Sequence, residues 1–522
     1  MKYFKNMTFK KWLVLVLAIL FAAQAVSIFL CNVFWSSKNL DCDMAMLYVH
    51  TIEIWRSKSL LVPDWSYLTS LELDCPALLA ALFFGITDNI YVAFGLANLC
   101  ILGLYAWTLF RLFRGRGGAM YSLLCLNLIC IPYGIGQLEY FNMTFFNGGQ
   151  YGIKVLLPLM LVSIVLELKE GWSLRKLPFW LLYFVLLFIS GLSSGIYVFA
   201  CGIFPVLAGY VIYRLYYNLK MEKLFMVVGA LSLVVTGVGF YLNHIYSAYA
   251  TNARGMSMSL CSIWGIKDNV SSCFWGIFEL FDAVTYTDGI AVMSYEGINI
   301  LLRMLFVLFL LVCGIRVGSK CLKKEADSTY FMLLCVFLWN TFILCVCKTQ
   351  YGAATFEYRY HLIGMIPLLC VAAKSLLDWY QRNGEHFRLK YMWAAVCLMA
   401  LLVLNFTSYR AVLQSEKDYS DLQAICDYVV LEGVETVYFL DDTTDSEICR
   451  LLDHKNASYL FATGEGTSLA YNYYADCTGG AVEPGNAIFA ADTRKREVGD
   501  TMDYLGHTLQ YEVTIGAYKL YR

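Results

Sequence analysis

The sequence predicts an α-helical polytopic membrane protein with about 11 spans, cytoplasmic N-terminus and outer C-terminus, closed by a small α/β domain. Composition is the first observation behind this: 59% of the 522 residues are hydrophobic and only 15% are charged. A soluble chain of this length needs far more charge to cover its surface. The second is a series of apolar runs, each near the ~20 residues a helix needs to cross a bilayer. The third is that nearly every basic cluster falls on the same side once those runs are threaded back and forth. A net charge of −1 gives no basic field for a nucleic acid, so no nucleic-acid partner is expected.

Lys2, Lys5, Lys10 and Lys11 precede the first run, 12–31, and set the N-terminus inside. Ala23-Gln24-Ala25 has the form of a signal-peptidase site, but the run continues past it and reads as an uncleaved anchor. The first outer loop, 32–89, holds two juxtamembrane helices. One begins at the acidic pair Asp41-Cys42-Asp43 and places Met44, Leu47, Tyr48, Thr51, Ile52 and Trp55 on one side, the spacing of a helix lying along the membrane. The other, 75–84, is too short to span and has Pro76 in its first turn.

The following spans are expected at 90–110, 119–135, 151–168, 177–189, then a run returning to Arg214, and at 224–242, 298–315, 330–347, 361–380 and 391–406. Arg111, Arg114, Arg175, Lys176, Arg316, Lys320, Arg382 and Arg388 all fall inside on this reading. Long outer loops are left at 243–296 and 348–360. No repeated half is visible, which argues against a transporter built of inverted repeats. The spans are almost free of charge apart from Lys154 and Arg303, both near ends.

The membrane module therefore occupies 1–408, and an extracytoplasmic domain 409–522. In that domain a helix is expected at 417–431, strands at 435–440, 457–462 and 487–490, and a helix at 446–453. A helix at 495–504 and one or two strands over 509–521 complete an alternating α/β pattern. Of the 19 cysteines most sit in apolar runs as small hydrophobes. Cys42/Cys75 and Cys261/Cys273 are the outer-loop pairs open to oxidation.

The polar groups gathered on the outer side bear on chemistry. Asp41, Asp43, Asp74 and Glu139 are acidic, and the matching cation is Arg359 at the threshold of a helix. An arginine at that depth can grip a phosphate with two parallel hydrogen bonds while its stem stays in the bilayer. Its plain reading is an interfacial arginine paired with Glu357, just as Asp43 reads as a helix-start acid and Asp74 as a cap for the Pro76 helix. Glu139 reads as a solvated loop acid and is assigned no role. The outer tryptophans, such as Trp264 and Trp275, fit an interfacial aromatic belt.

The runs Asp41-Cys42-Asp43-Met44-Ala45 and Asp74-Cys75-Pro76, with the late Phe356-Glu357-Tyr358-Arg359-Tyr360 ahead of Pro367, resemble the polytopic GT-C glycosyltransferases of bacteria. The resemblance implies transfer of a sugar from a polyprenyl-phosphate donor to a glycan, lipid or protein acceptor on the outer face of the plasma membrane. It implies that Asp43 is the catalytic carboxylate, with Asp41 beside it. Arg359 would hold the carrier phosphate, with Tyr358, His361 and Asp74 as substrate-binding neighbours. The acidic pair is Asp-Cys-Asp where many members have Asp-Glu, and Cys75-Pro76 stands where they have His-Pro. Which carboxylate acts, and whether a divalent metal (Mg or Mn) takes part, stay open. The alternative class is a transporter, flippase or polymerase of lipid-linked glycans, which would carry charges along a path through its spans.

Overall fold

The computed structural model describes residues 9–522 apart from 64, 66, 68, 69, 116, 137, 138, 169, 170, 172, 250–257, 286, 287, 350, 351, 354–357, 383–386, 441, 442, 454, 455, 464, 465, 467, 470–481, 483–486 and 505. The membrane module runs α1 (Phe9–Phe34), α2 (Cys42–Ser57), α3 (Ala77–Thr87), α4 (Ile90–Leu112), α5 (Gly118–Ile129), α6 (Tyr140–Thr144), α7 (Gly152–Glu167), α8 (Leu177–Ser194), α9 (Phe204–Tyr216) and α10 (Lys223–Tyr249). It continues with β1 (Met258–Leu260), α11 (Ile263–Leu280), α12 (Tyr295–Leu322), α13 (Ser328–Val346), β2 (Cys347–Thr349), β3 (Gly352–Ala353), α14 (Leu362–Arg382) and α15 (Phe387–Gln414). Strands β1, β2 and β3 form a small antiparallel sheet.

Among the described residues 9 helices are long and apolar enough to cross a membrane, so this is an integral membrane protein. The expected spans at 119–135 and 151–168 fall on shorter helices, although α7 still runs from Lys154, beside Asp74, to Glu167, which pairs with Arg111 and Arg114 at the far end of α4. Helix α5 has 12 residues and α7 has 16. At ~1.5 Å per residue both fall short of a ~30 Å hydrocarbon core. Almost every residue of α7 is buried. A helix covered by protein on all sides is as apolar as one in lipid, so hydropathy alone does not separate the two.

The amphipathic helix expected to lie on the membrane is also corrected. Helix α2 is buried from Met44 to Ile54, including His50 and Glu53. It packs between α3 and the tail domain rather than exposing a polar face. His50 stacks on Trp65 at 5.0 Å, its Nε2 meets the hydroxyl of Tyr67 at 3.1 Å, which gives the buried ring a hydrogen-bond partner, and its Nδ1 lies 3.2 Å from Glu72 Oε2.

The tail domain comprises α16 (Ser420–Glu432), β4 (Thr436–Phe439), α17 (Thr443–Asp453), β5 (Ser458–Ala462), β6 (Ser468–Leu469), β7 (Ala487–Asp492), β8 (Thr501–Tyr504), β9 (His507–Ile515) and β10 (Tyr518–Tyr521). Its strands line up as β6-β5-β4-β7-β10-β9-β8, with β4 parallel to both β5 and β7. Helix α17 provides the crossover from β4 to β5 that a parallel pair requires. Strand β7 is buried throughout. The helix expected at 495–504 is instead a turn followed by β8. Gly499 and Asp500 break a helix there, and Gly506 at φ +82° closes a tight hairpin that pairs Tyr504 with His507.

The tail is tied to the loop just before α2. The Lys417 backbone N–H donates to Lys38 O at 2.8 Å, and the Tyr419 hydroxyl donates to Leu40 O at 2.9 Å. Lys38 and Glu416 form an ion pair at 2.8 Å. The cysteine pairs Cys42/Cys75 and Cys261/Cys273 are not bonded; all four are free thiols. The Cys75 thiol donates to Glu72 O at 2.9 Å, and Cys261 accepts from Asn269 Nδ2 at 3.0 Å.

Candidate active site

The geometry begins at the start of α2. Asp41 adopts an extended backbone and caps the helix, its Oδ1 accepting from the Met44 N–H at 2.9 Å. This leaves the next acid, Asp43, in the first turn with its carboxylate half-buried. Burial and the neighbouring Asp43 charge push the Asp41 carboxyl up to about 7, despite the Met44 N–H and Lys417 pulling the other way. The acidic pair is therefore two different groups, one a cap poised to share a proton near neutrality and one aimed outward.

Asp43 Oδ2 faces Arg359 Nη1 at 3.7 Å. Arg359 stands on a one-turn 3-10 helix, Tyr358–His361, that leads into α14. Its guanidinium lies 5.7 Å from the Tyr360 ring centre. Tyr360 is buried and meets Tyr151 and Tyr197 edge to face at 6.5 and 5.9 Å. The sequence-predicted base and phosphate ligand are thus brought together from opposite ends of the membrane module. Glu357, the expected plain partner of Arg359, lies outside the described residues.

Behind these groups stands a buried charge pair that the sequence reading did not find. Lys154, in the first turn of α7, reaches Asp74 Oδ1 at 3.5 Å and lies 5.0 Å from the Tyr151 ring centre. It is close enough to Arg359 to feel that charge. Asp74 does not cap α3, whose start at Pro76 has no side-chain cap. It is fully buried, and its Oδ2 accepts from Ser190 at 3.1 Å and Ser194 at 2.8 Å. The signal for Lys154 was a lone lysine, three residues from Tyr151, in an otherwise apolar helix.

His361 ends the same 3-10 turn as Arg359; it is buried, and its Nε2 has no hydrogen-bond partner among the described residues. For Tyr358 the backbone position in the 3-10 turn is described. Glu139 is not the solvated acid expected. It is tucked under its own loop, accepting from the Gly136 N–H at 2.9 Å, and burial lifts its carboxyl to about 7. Arg303, the second charge near a span end, is a buried brace: it donates to Tyr133 O, to Phe281 O at 3.1 Å and to Ser408 Oγ at 3.1 Å.

A chain of asparagines fixes the floor. Asn147 Nδ2 donates to Asn142 Oδ1 at 2.9 Å and to Asn39 O at 3.2 Å, while Tyr48 donates to Asn147 Oδ1 at 3.2 Å. Gly148 lies directly against α2, its N–H 3.0 Å from Met44 Sδ. These bonds bind the 140–150 segment to the helix that carries Asp43. Among the described residues no three His, Cys, Asp or Glu side chains converge to hold a metal ion.

No protein-family model matches the sequence, and no curated protein matches it either. The solved structure of ArnT from Cupriavidus metallidurans bound to undecaprenyl phosphate does match, at a TM-score of 0.55 and 12% identity over 98% of each chain. The same protein in its apo state matches at a TM-score of 0.54 and 11% identity over 97% of each chain. The chain therefore has, along nearly its whole length, the fold of ArnT, a GT-C glycosyltransferase.

Proposed function

We propose that this protein is an integral membrane glycosyltransferase that moves a sugar from a polyprenyl-phosphate carrier to an acceptor hydroxyl on the outer face of the membrane. One observation carries the reading: Asp43 and Arg359, far apart in sequence, meet at 3.7 Å on a chain with the fold of ArnT. The acid and the cation that such a reaction needs are within one substrate's reach of each other. The comparison structure holds undecaprenyl phosphate, which supports a polyprenyl phosphate as the lipid partner. The positive-inside pattern puts the tail domain and the Asp43 side outside the cytoplasm.

In this mechanism the carrier phosphate displaces the Asp43 carboxylate from Arg359, because a phosphate offers more charge and a bidentate fit. Lys154 adds positive potential from below. Asp43, released, takes the proton from the acceptor hydroxyl as its oxygen attacks the anomeric carbon. The bond from that carbon to the phosphate oxygen breaks, and its electron pair stays on the carrier phosphate, where Arg359 stabilises it. Asp41, its carboxyl pushed up to about 7, limits the negative charge at the helix start where the carrier phosphate arrives. The test is release of free polyprenyl phosphate by the purified protein in liposomes offered radiolabelled polyprenyl-phosphate sugars with mixed envelope acceptors. Release of free carrier phosphate from one of the donors is the expected result, and the same assay in excess EDTA, with and without added Mg or Mn, decides whether a divalent metal takes part. No release from any donor with the acceptors present would overturn the reading.

A further inference from the structure

A cavity of about 610 Å³ opens between α12, α14 and α15, over Leu124 and Leu128 of α5. Its walls are almost wholly apolar, with Phe306 and Phe309 on one side and Trp379 and Trp393 on the other. Walls of this kind offer a water almost no hydrogen-bond partners. The cavity lies at the depth of three candidate spans, where hydrocarbon is the available filler. The cavity runs along α12 from Leu302 at one end to Arg316 at the other.

Arg316 lines the mouth of this cavity, is exposed, and has no ion-pair or hydrogen-bond partner among the described residues. Arg382, at the end of α14, is likewise exposed, and the charges of Arg382 and Arg316 both bear on Lys320. Arg316 at the opening of the apolar groove is thus one of a group of cations, while the acid whose charge also reaches Lys320, Asp378, is already bonded to Tyr121 at 2.7 Å, Tyr330 at 2.7 Å and Lys374 at 3.0 Å. This mouth is remote from the candidate active site. Trp379 lies 20 residues beyond Arg359, most of them along α14, or roughly 30 Å of helix.

We infer that this groove is a binding site for one anionic phospholipid of the opposite leaflet from the Asp43 site, with its phosphate at Arg316 and an acyl chain between α12 and α15. The chemistry selects that occupant: an unpaired guanidinium calls for a phosphate, and the apolar walls call for a hydrocarbon chain. A zwitterionic lipid would fill the groove but leave the Arg316 cluster uncompensated. The bound chain would also supply the packing that α15 lacks against α12 and α14.

Trp379 and Trp393 provide a built-in reporter, their rings 5.5 Å apart in the groove wall. The protein is reconstituted in nanodiscs containing phosphatidylglycerol or phosphatidylcholine with brominated acyl chains. The groove signal is the quenching in the wild type minus that in Trp379→Phe/Trp393→Phe, which removes the contribution of the other tryptophans among the chain's 12. The expected result is tighter apparent binding of the brominated phosphatidylglycerol by about fivefold, the preference one interfacial cation confers. Arg316→Gln should abolish that preference and Arg316→Lys should keep part of it, while donor turnover stays unchanged. Equal quenching by both lipids, or a preference untouched by Arg316→Gln, would mean bulk lipid only and overturn the inference. Absence of any quenching specific to Trp379 and Trp393 would overturn it as well.

Discussion

Replacing Lys154 by methionine strands the Asp74 carboxylate in a fully buried position with only the Ser190 and Ser194 hydroxyls as donors. At the observed 3.5 Å, the attraction between the two charges is about 5 kcal/mol for an effective dielectric of ~20. Desolvation of both groups offsets much of this in the intact pair. Removing one partner leaves that cost uncompensated, and the expected destabilisation is ~3–5 kcal/mol. Adding Asp74→Asn to Lys154→Met removes the stranded charge while the amide oxygen still accepts from both serines. The double variant should therefore be more stable than Lys154→Met alone and lie within ~1–2 kcal/mol of wild type. Protease resistance along a thermal ramp in detergent reads out the order of the variants. Additive losses, with the double variant the least stable of the set, would refute the coupled-pair argument.

The remaining predictions concern the mounting of Asp43. The Asp41 carboxyl titrates at about 7 in the folded chain against 3.8 as a free group, so the folded state binds its proton more tightly. The stability this gives is full below pH ~4 and is lost as pH rises from there through 7. Asp41→Asn, which keeps a capping oxygen, should match wild type near pH 4 and exceed it in thermal stability at pH 8; a constant difference across that range would contradict the assignment. At Gly148 an added Cβ would sit 2.7 Å from both Leu47 Cδ2 and Met44 Sδ. Gly148→Ala should push α2 outward and lower turnover by about tenfold or more, with donor binding retained, since misplacing a reacting group by ~1 Å costs up to 10²-fold.

How far the sequence reached follows from which interactions are local. Long apolar runs and the basic residues at their ends encode crossing and orientation along the chain itself, and the long helices α1, α4, α10, α12 and α13 were legible for that reason. Helices α5 and α7 are shorter than the runs 119–135 and 151–168, whose composition does not separate a helix buried in protein from one buried in lipid. The 495–504 segment was misread because its charge density suggested a solvated helix, while the deciding residues were the turn formers Gly499 and Gly506. At the site, Asp43 and Arg359 were visible only through their resemblance to a known pattern; nothing in the spacing of two residues so far apart predicts a 3.7 Å contact. Lys154 was noticed as an isolated charge, but its partner Asp74 lies in a different loop and the serines that complete the cluster lie on α8. The asparagine floor under α2 was legible merely as a polar loop, since a buried and a solvated asparagine look alike in a sequence.

The measurement that bears most directly on the account is single-turnover sugar transfer by Asp43→Asn, with binding of the polyprenyl-phosphate sugar measured on the same liposomes. The account predicts that transfer falls by about 10²–10⁴-fold, the usual contribution of a positioned base, while donor binding holds or tightens because the phosphate no longer competes with the Asp43 carboxylate for Arg359. Transfer at the wild-type rate by Asp43→Asn, in protein that folds and binds donor normally, would remove Asp43 from the chemistry and contradict the mechanism built on its meeting with Arg359.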